Sequence, residues 1–296
     1  MIEPVVTGLR CAVCGARRSI AGALTWKCPN ACVGEQHLLR FERRLAPLRA
    51  DLSEPNPFIA LRPYLAWDAF AAAVGLTEPE RVARIRALDA AIEAVAGTGF
   101  RWTPLHRSAA LSDGLGFSAD GGVWVKDETG NVAGSHKARH LFTVALHLLV
   151  AELRGLAPWS GRGDRPNLAL ASCGNAALAA ATIAAALAWP ISVFVPEWAN
   201  ENVVEQLMRL DATIVRCPRR AGDPPGDPCV HAFRSAVRGD WARLCSAVRM
   251  SCGRVFGGRH VTSNHVCRGP STRSRWALRV SSAGCPAYRA CTSPST

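Results

Sequence analysis

The apolar positions between residues 123 and 216 alternate between short β-type runs and longer helical runs. The predicted strands are 123–126, 168–171, 191–195 and 213–216, and the predicted helices are 136–153, 175–187 and 200–210. Strands that alternate with helices in this way form a mostly parallel sheet covered by helices, with ligand sites at the carboxyl ends of the strands. We therefore predict an α/β fold with a parallel sheet flanked by helices.

The regions on either side differ from this pattern. Two helical patterns, 64–74 and 80–96, follow proline-rich turns that end a Cys-rich segment. From residue 218 onward the periodicity is lost, and Lys and Glu are absent although seven of the twelve Cys lie from Cys217 on. We predict three domains: a small zinc-ribbon-like module at 1–45, an incomplete α/β domain at 46–217, and an irregular, disordered basic tail at 218–296. A shifted reading frame, with native sequence ending near 231 to 240, explains the tail better than an ordinary solvated tail, which rarely carries so many Cys and Trp.

The charge distribution argues against nucleic acid as a partner. The net charge is +12, but the segment from Cys217 to Thr296 holds thirteen Arg and three Asp, so +10 belongs to it alone. It shows no aromatic interleaving and no recognisable binding motif. The uncharged run 167–196 is long enough for a membrane span, yet it is Ala-rich and contains Asn175 and Pro190, which favours a buried β-α-β unit. Because the first ten residues lack an apolar signal core, we expect a cytoplasmic protein without membrane contact.

Two pairs of cysteines near the N-terminus have the spacing of a metal site. Two residues separate Cys11 from Cys14, thirteen follow, and three separate Cys28 from Cys32. Two close pairs separated by a short hairpin allow four thiolates to close a tetrahedral Zn²⁺ site. We predict structural zinc bound by these four cysteines, with a redox dithiol and unligated buried cysteines as the alternatives.

The reactive group that the sequence indicates is Lys137, one of only three lysines in the chain. Its segment passes from an acidic, Gly/Asn-rich turn into a helical apolar pattern, and Ser135 has the character of an N-cap. Lys137 would then lie in the first helical turn, where the positive end of the helix dipole disfavours a second positive charge. This position favours the neutral amine, which can form a Schiff base with a carbonyl compound.

Five short motifs occur in one order along the chain: Thr103-Pro104-Leu105, Lys126-x-Glu128, Asn131, Ser135-His136-Lys137-x-Arg139 and Ser172-x-Gly174-Asn175. Together they resemble the fold-type II pyridoxal-phosphate enzymes, which include threonine synthase, threonine and serine dehydratases, cysteine synthase and the tryptophan synthase β chain. The resemblance covers about residues 100 to 216. The Cys-rich module is similar to the one before the catalytic domain of many threonine synthase-like proteins. It therefore favours a threonine synthase-like lyase, acting by β-replacement or γ-elimination on a phosphorylated or hydroxylated amino acid.

The resemblance also implies roles for individual residues. Lys137 would bind pyridoxal 5'-phosphate as a Schiff base and move the substrate α-proton. Asn175 would bind the 3-hydroxyl of the cofactor. The turn formed by Ser172, Cys173, Gly174 and Asn175 would bind the substrate carboxylate through backbone N–H groups at a helix N-terminus, which suits an anion. Apart from the resemblance, Glu128 and Arg139 are interpreted as a structural ion pair or as turn contacts, and not as catalytic groups.

Two parts of the family pattern should lie after residue 216. These are a glycine-rich phosphate loop and a Ser or Thr that meets the pyridine nitrogen, and Gly257-Gly258 is a poor substitute for the loop because no strand precedes it. We therefore expect a truncated or frameshifted relative with weak or absent activity. The alternatives are a threonine/serine dehydratase-like ammonia-lyase and a non-catalytic zinc-ribbon interaction protein. The expected partners are a small amino-acid substrate and, as one option, a second copy of the chain in a homodimer.

Overall fold

The computed structural model describes residues 3–238, except residues 26, 33, 34 and 36. All of these residues belong to the first of two compact units, Met1–Gly258. The expectations for the basic segment 239–296, including Gly257-Gly258, lie outside the described residues.

The N-terminal module is built on a three-stranded antiparallel sheet. Strand β1 (Val6–Cys11) lies in the centre, between β2 (Arg17–Ser19) and β3 (Leu39–Arg43). The sheet is joined to the following helices through the Val5 N–H, which donates to the Pro63 carbonyl at 2.7 Å. The predicted Cys-rich module therefore contains a small antiparallel sheet. Its central strand, β1, ends at Cys11, the first cysteine of the predicted metal site.

Three helices follow the module: α1 (Pro57–Ala60), α2 (Ala66–Ala73) and α3 (Glu78–Ala96). The two longer ones begin within two residues of their predicted starts. Helix α3 ends at Gly97, whose φ of 72° is the left-handed conformation that glycine adopts at low cost. Between α2 and α3, the fully buried Asp68 pairs with Arg62 and with Arg81, so two buried guanidinium groups share one carboxylate.

Strand β4 (Leu105–Arg107) pairs antiparallel with β5 (Trp124–Lys126), and the short helix α4 (Ala109–Gly114) lies between them in the chain. This corrects the prediction that segment 123–126 is part of the parallel sheet. Among the described strands, β5 pairs only with β4. The parallel sheet therefore begins with β6, one strand later than the sequence indicates.

The parallel sheet has three described strands in the order β6 (Leu168–Ala171), β7 (Ile191–Pro196) and β8 (Thr213–Cys217). The helices that alternate with them are α5 (Lys137–Leu153), α6 (Asn175–Ala186) and α7 (Glu201–Arg209). Each of these six elements lies within one residue of its predicted bounds at both ends. The α/β architecture with a parallel sheet and flanking helices is confirmed.

Small side chains allow helices α5 and α6 to pack closely in the main core. Eight of the twelve residues of α6 are alanines, six of them are buried, and the helix contacts α3 and α5. On α5, Phe142 packs against Phe58 and Phe100 with ring centroids 4.5 and 4.6 Å away. Among the described helices, none is long and apolar enough to cross a membrane. The uncharged run 167–196 is the predicted β-α-β unit.

A last helix, α8 (Pro228–Arg238), lies within the segment expected to be irregular. Asp227 starts it, since its side chain accepts the Cys229 N–H at 2.8 Å. Cys229 and Phe233 pack on Phe194 of β7, with the two phenylalanine rings 6.0 Å apart in an edge-on arrangement. The segment expected to be irregular therefore contains an eleven-residue helix, from Pro228 to Arg238.

Candidate functional site

Lys137 is the first residue of α5 and is half-buried. The chain reaches it through a 3₁₀ turn, Val132–Gly134, in which Ala133 and Gly134 both have positive φ (54° and 64°). The hydroxyl of Ser135 accepts the Lys137 N–H at 3.3 Å, so Ser135 satisfies one of the first helical N–H groups, as predicted. The lysine therefore lies in the first helical turn, as the sequence predicts.

An ionic network holds the start of α5 against the β4–β5 hairpin. The Arg139 Nε and the Glu128 Oε2 are 2.7 Å apart, and this is the predicted ion pair. Thr103 donates its hydroxyl to Glu128 at 2.6 Å, and the Lys126 ammonium lies 3.1 Å from the same carboxylate. Burial raises the pKa of Glu128, but hydrogen bonds from Arg139, Thr103 and Lys126 outweigh it and lower the pKa to about 2. Three of the sequence motifs thus meet at one carboxylate, whose role is to position Lys137's helix.

Asn131 carries a polar atom that the described residues leave unpaired. Its side-chain amide donates to the Ser135 carbonyl at 2.7 Å, whereas its buried Oδ1 has no hydrogen-bond partner among the described residues. Buried acceptors in proteins are usually hydrogen-bonded, so a water or a ligand could donate to this oxygen. Asn131 was part of the motif set, but the sequence assigned it no role of its own.

The turn after β6 presents backbone N–H groups at the start of α6. Ser172 fixes the turn by donating its N–H to the Phe194 carbonyl at 3.2 Å, and Cys173 packs against the main core. Gly174 occupies the cap position, and within the described structure no side chain caps the helix there. A Cβ added to Gly174 would meet no atom within 4 Å, so the turn is open, and the side chain of Asn175 is exposed. Uncapped N–H groups at a helix N-terminus favour an anion.

The lysine segment and this turn do not share the sheet edge that the sequence predicts. The sequence placed both at the carboxyl edge of one sheet, but β5 lies outside the parallel sheet. Instead, α5 packs on α6, and the 3₁₀ turn Val132–Gly134 also contacts α6. The segment that leads to Lys137 therefore lies against the helix that follows the turn 172–175.

These residues fit pyridoxal phosphate in part. A half-buried amine at a helix start, an orphaned buried acceptor in Asn131 and an open turn with uncapped N–H groups are the kinds of groups that an aldehyde cofactor and a carboxylate substrate require. The expectation that the glycine-rich phosphate loop is missing concerns Gly257-Gly258, which lie outside the described residues.

The predicted metal ligands are only partly brought together. Cys11, Cys14 and Cys28 form a group with His37 in which the ligand atoms all lie within 4.8 Å of one another. Cys32 is exposed and lies outside this group. Burial raises the pKa of Cys11, but N–H donation from Cys14 and Val13 outweighs it and lowers the pKa to about 6. His37 was missed because a single histidine nine residues after Cys28 falls outside the cysteine-pair spacing.

Comparisons with known proteins identify a similar enzyme family. Residues 97–241 match the family model described as "Pyridoxal-phosphate dependent enzyme". The match contains Lys137, the turn 172–175 and helix α8. None of the curated proteins compared with the chain matches it.

Two solved structures illustrate the similarity. An O-ureido-L-serine synthase is 20% identical, with 50% of this chain and 40% of that one covered and a TM-score of 0.36. A hydrogen sulfide-producing enzyme is 21% identical, with 40% of this chain and 32% of that one covered and a TM-score of 0.32. The chain thus spans less than half the length of these two proteins.

Proposed function

We propose that this chain is a pyridoxal-phosphate-dependent lyase of amino-acid metabolism, similar to threonine synthase, that acts on a phosphorylated or hydroxylated amino acid by β-replacement or γ-elimination. The observation that carries the proposal is the family match over 97–241, within which Lys137 begins α5. The narrower assignment to threonine synthase-like chemistry is supported by the Cys-rich module that precedes this domain.

Lys137 is the residue that would hold the cofactor and move a proton at the substrate α-carbon. Pyridoxal phosphate, when bound, supplies the electron sink for the carbanion that this proton transfer creates. The network around Glu128 supports the role, because Arg139 lies two residues after Lys137 and ties that helical turn to Thr103. The amine is therefore positioned by a rigid helix start and not by a mobile loop.

The turn 172–175 would bind and orient the substrate carboxylate. Its support is the uncapped start of α6 and the open space beside Gly174, which would let a carboxylate approach the backbone closely. Asn175, the first residue of α6, would contribute its exposed amide to the cofactor's 3-hydroxyl. The cofactor phosphate would need further donors from outside the described residues.

The chain's lysine content makes the central assignment easy to test. Only Lys27, Lys126 and Lys137 are present, and Lys126 is already engaged with Thr103 and Glu128. Full-length protein would be incubated with pyridoxal phosphate, reduced with borohydride and digested, and the labelled peptide identified by mass spectrometry. We expect the label on Lys137 and its loss in Lys137→Ala, with Lys126→Arg as the matched control. Label distributed over all three lysines, or retained in Lys137→Ala, would contradict the proposal.

The reaction type is tested separately. Release of inorganic phosphate from a phosphorylated amino acid supports the threonine synthase-like assignment, whereas ammonia and a 2-oxo acid from serine or threonine support a dehydratase-like ammonia-lyase. Label on Lys137 without either product would support the expected weak or absent activity. Bound zinc with no lysine label would favour the non-catalytic interaction protein.

A further inference from the structure

The metal-binding potential of the N-terminal module lies in a group that differs from the cysteine quartet. Cys11 ends β1, Cys14 follows in the turn, Cys28 comes from the loop after β2, and His37 precedes β3. The Cys14 and Cys28 sulfurs are 3.4 Å apart, and the His37 Nδ1 is 3.4 Å from the Cys28 sulfur. Sulfur ligands of a tetrahedral zinc ion with bonds of about 2.3 Å lie about 3.8 Å apart. The four side chains are therefore spaced for one small ion.

His37 is oriented as a ligand by a neighbouring carboxylate. Its Nδ1 faces the sulfurs, and its other ring nitrogen, Nε2, lies 3.5 Å from the carboxylate of Glu35. Metal-binding histidines commonly have their second nitrogen hydrogen-bonded to a carboxylate, which fixes the ring and the tautomer. The His37 side chain is only 12% exposed, although it belongs to a small surface module.

Cys32 has a different environment. It is exposed, and its backbone N–H donates to the same Glu35 carboxylate at 2.9 Å, so it shapes the loop that presents His37. Amide donors approach the sulfurs inside the group. The Val13 and Cys14 N–H groups each lie 3.4 Å from the Cys11 sulfur, and the Asn30 amide lies 3.6 Å from the Cys14 sulfur. Such donors stabilise thiolate ligands.

We propose that Cys11, Cys14, Cys28 and His37 bind one structural Zn²⁺, that Glu35 positions His37, and that Cys32 is not a ligand. Three thiolates and an imidazole are a ligand set that selects zinc, and four protein ligands leave no open position for a substrate. Binding releases to solvent the protons that the thiols still carry, and no oxidant or reductant is required.

The ion would hold the loop between Cys14 and Cys28 against the enzyme domain. In that loop, Ile20 and Ala23 pack against the main core, and the Ala23 carbonyl accepts a hydrogen bond from His147 of α5. Because α5 also carries Lys137, the metal module and the candidate active site share one helix. Zinc would thus stabilise the packing of this helix without taking part in the reaction.

The test uses full-length protein purified under reducing conditions, with zinc measured by plasma mass spectrometry and the ligands counted from the charge-transfer bands of the Co²⁺-substituted protein. We expect one zinc per chain and a tetrahedral cobalt spectrum with three thiolates. Cys32→Ser should leave both unchanged, as should the control Cys173→Ser. Cys28→Ser and His37→Ala should lose the metal, and Glu35→Gln should weaken zinc binding by about ten-fold or more.

His37→Cys keeps the proposal falsifiable if His37→Ala fails to fold, because it should retain zinc and show a four-thiolate cobalt spectrum. Loss of zinc in Cys32→Ser together with retention in His37→Ala would overturn the proposal in favour of a four-cysteine site. Folded protein that holds no zinc under these conditions, and that takes up no Co²⁺ when the ion is added, would overturn metal binding altogether.

Discussion

Replacing Glu128 with Gln should destabilise the protein in a pH-dependent way. The substitution keeps the shape of the side chain but removes the negative charge that pairs with two cations. The carboxylate oxygens of Glu128 lie 2.7 Å from the Arg139 Nε and 3.1 Å from the Lys126 Nζ. The network lowers the pKa of Glu128 from 4.5 to about 2. At about 1.4 kcal/mol per pKa unit, this pKa shift corresponds to at most about 3 kcal/mol of stabilisation. Because the carboxylate is 17% exposed, solvent screens part of that stabilisation. We expect a loss of about 1–2 kcal/mol in the free energy of unfolding at pH 7.

The sign of the pH dependence follows from the lowered pKa. The folded state binds the Glu128 proton less tightly than the unfolded state, so the stabilisation is complete above about pH 5 and is lost as the pH falls towards 2. Urea unfolding followed by tryptophan fluorescence, with nine Trp in the chain, would measure the difference between wild type and variant at pH 7 and at about pH 3. At the lower pH the difference should fall to about half or less.

The exposed pair Arg216–Glu201 provides the matched control. Its atoms are 2.8 Å apart, but the side chains are 41% and 65% exposed. Glu201→Gln should therefore change the free energy of unfolding by less than about 0.5 kcal/mol. Equal effects of the two substitutions, or an effect of Glu128→Gln that is the same at both pH values, would refute the assignment of the network as a structural anchor.

Three further perturbations test other parts of the fold. Asp68→Asn removes the charge of the carboxylate that Arg62 and Arg81 share, and should cost about 3–5 kcal/mol in urea unfolding because buried Arg81 loses its paired carboxylate and buried Arg62 is left with Glu78; a change below about 1 kcal/mol would contradict this. Burial lowers the pKa of His147 from 6.5 to about 4, so stability is lost as the pH falls from 6.5 to 4. His147→Phe should lack that loss in melting experiments from pH 7 to 4, and an unchanged pH profile would count against the buried neutral ring. Phe233→Ala should lower the free energy of unfolding by about 2–4 kcal/mol, and an unaffected midpoint would show that α8 does not pack on the sheet.

The sequence predicts the repeating part of the fold closely. The strands β6, β7 and β8 each contain a short apolar run, and of the helices between them α6 is an alanine-rich run and α7 is amphipathic, so each element carries its own signal. The position of Lys137 at a helix start was also predictable, because Ser135 and the turn residues before it mark that start.

Features that depend on distant contacts were not predictable in this way. A three-residue strand such as β5 does not specify its partner, and its pairing with β4 follows from tertiary packing. His37 reaches the cysteines only because β1 and β3 are neighbours in a sheet. In α8, the apolar positions Cys229 and Phe233 are separated by a helical spacing, but the surrounding arginines and prolines obscured the pattern.

Helix α8 also has a consequence for strand register. All six residues of β7 are buried, with Val193 and Val195 facing the main core while Phe194 faces α8. A slip of one residue would exchange these faces and place the phenylalanine ring among the alanines of α6, where only small side chains fit. Because β7 pairs with β6, the position of the turn 172–175 depends on the same register. The contact between Phe194 and Phe233 thus helps to fix the register of β7, and through β6 it fixes the position of the turn 172–175.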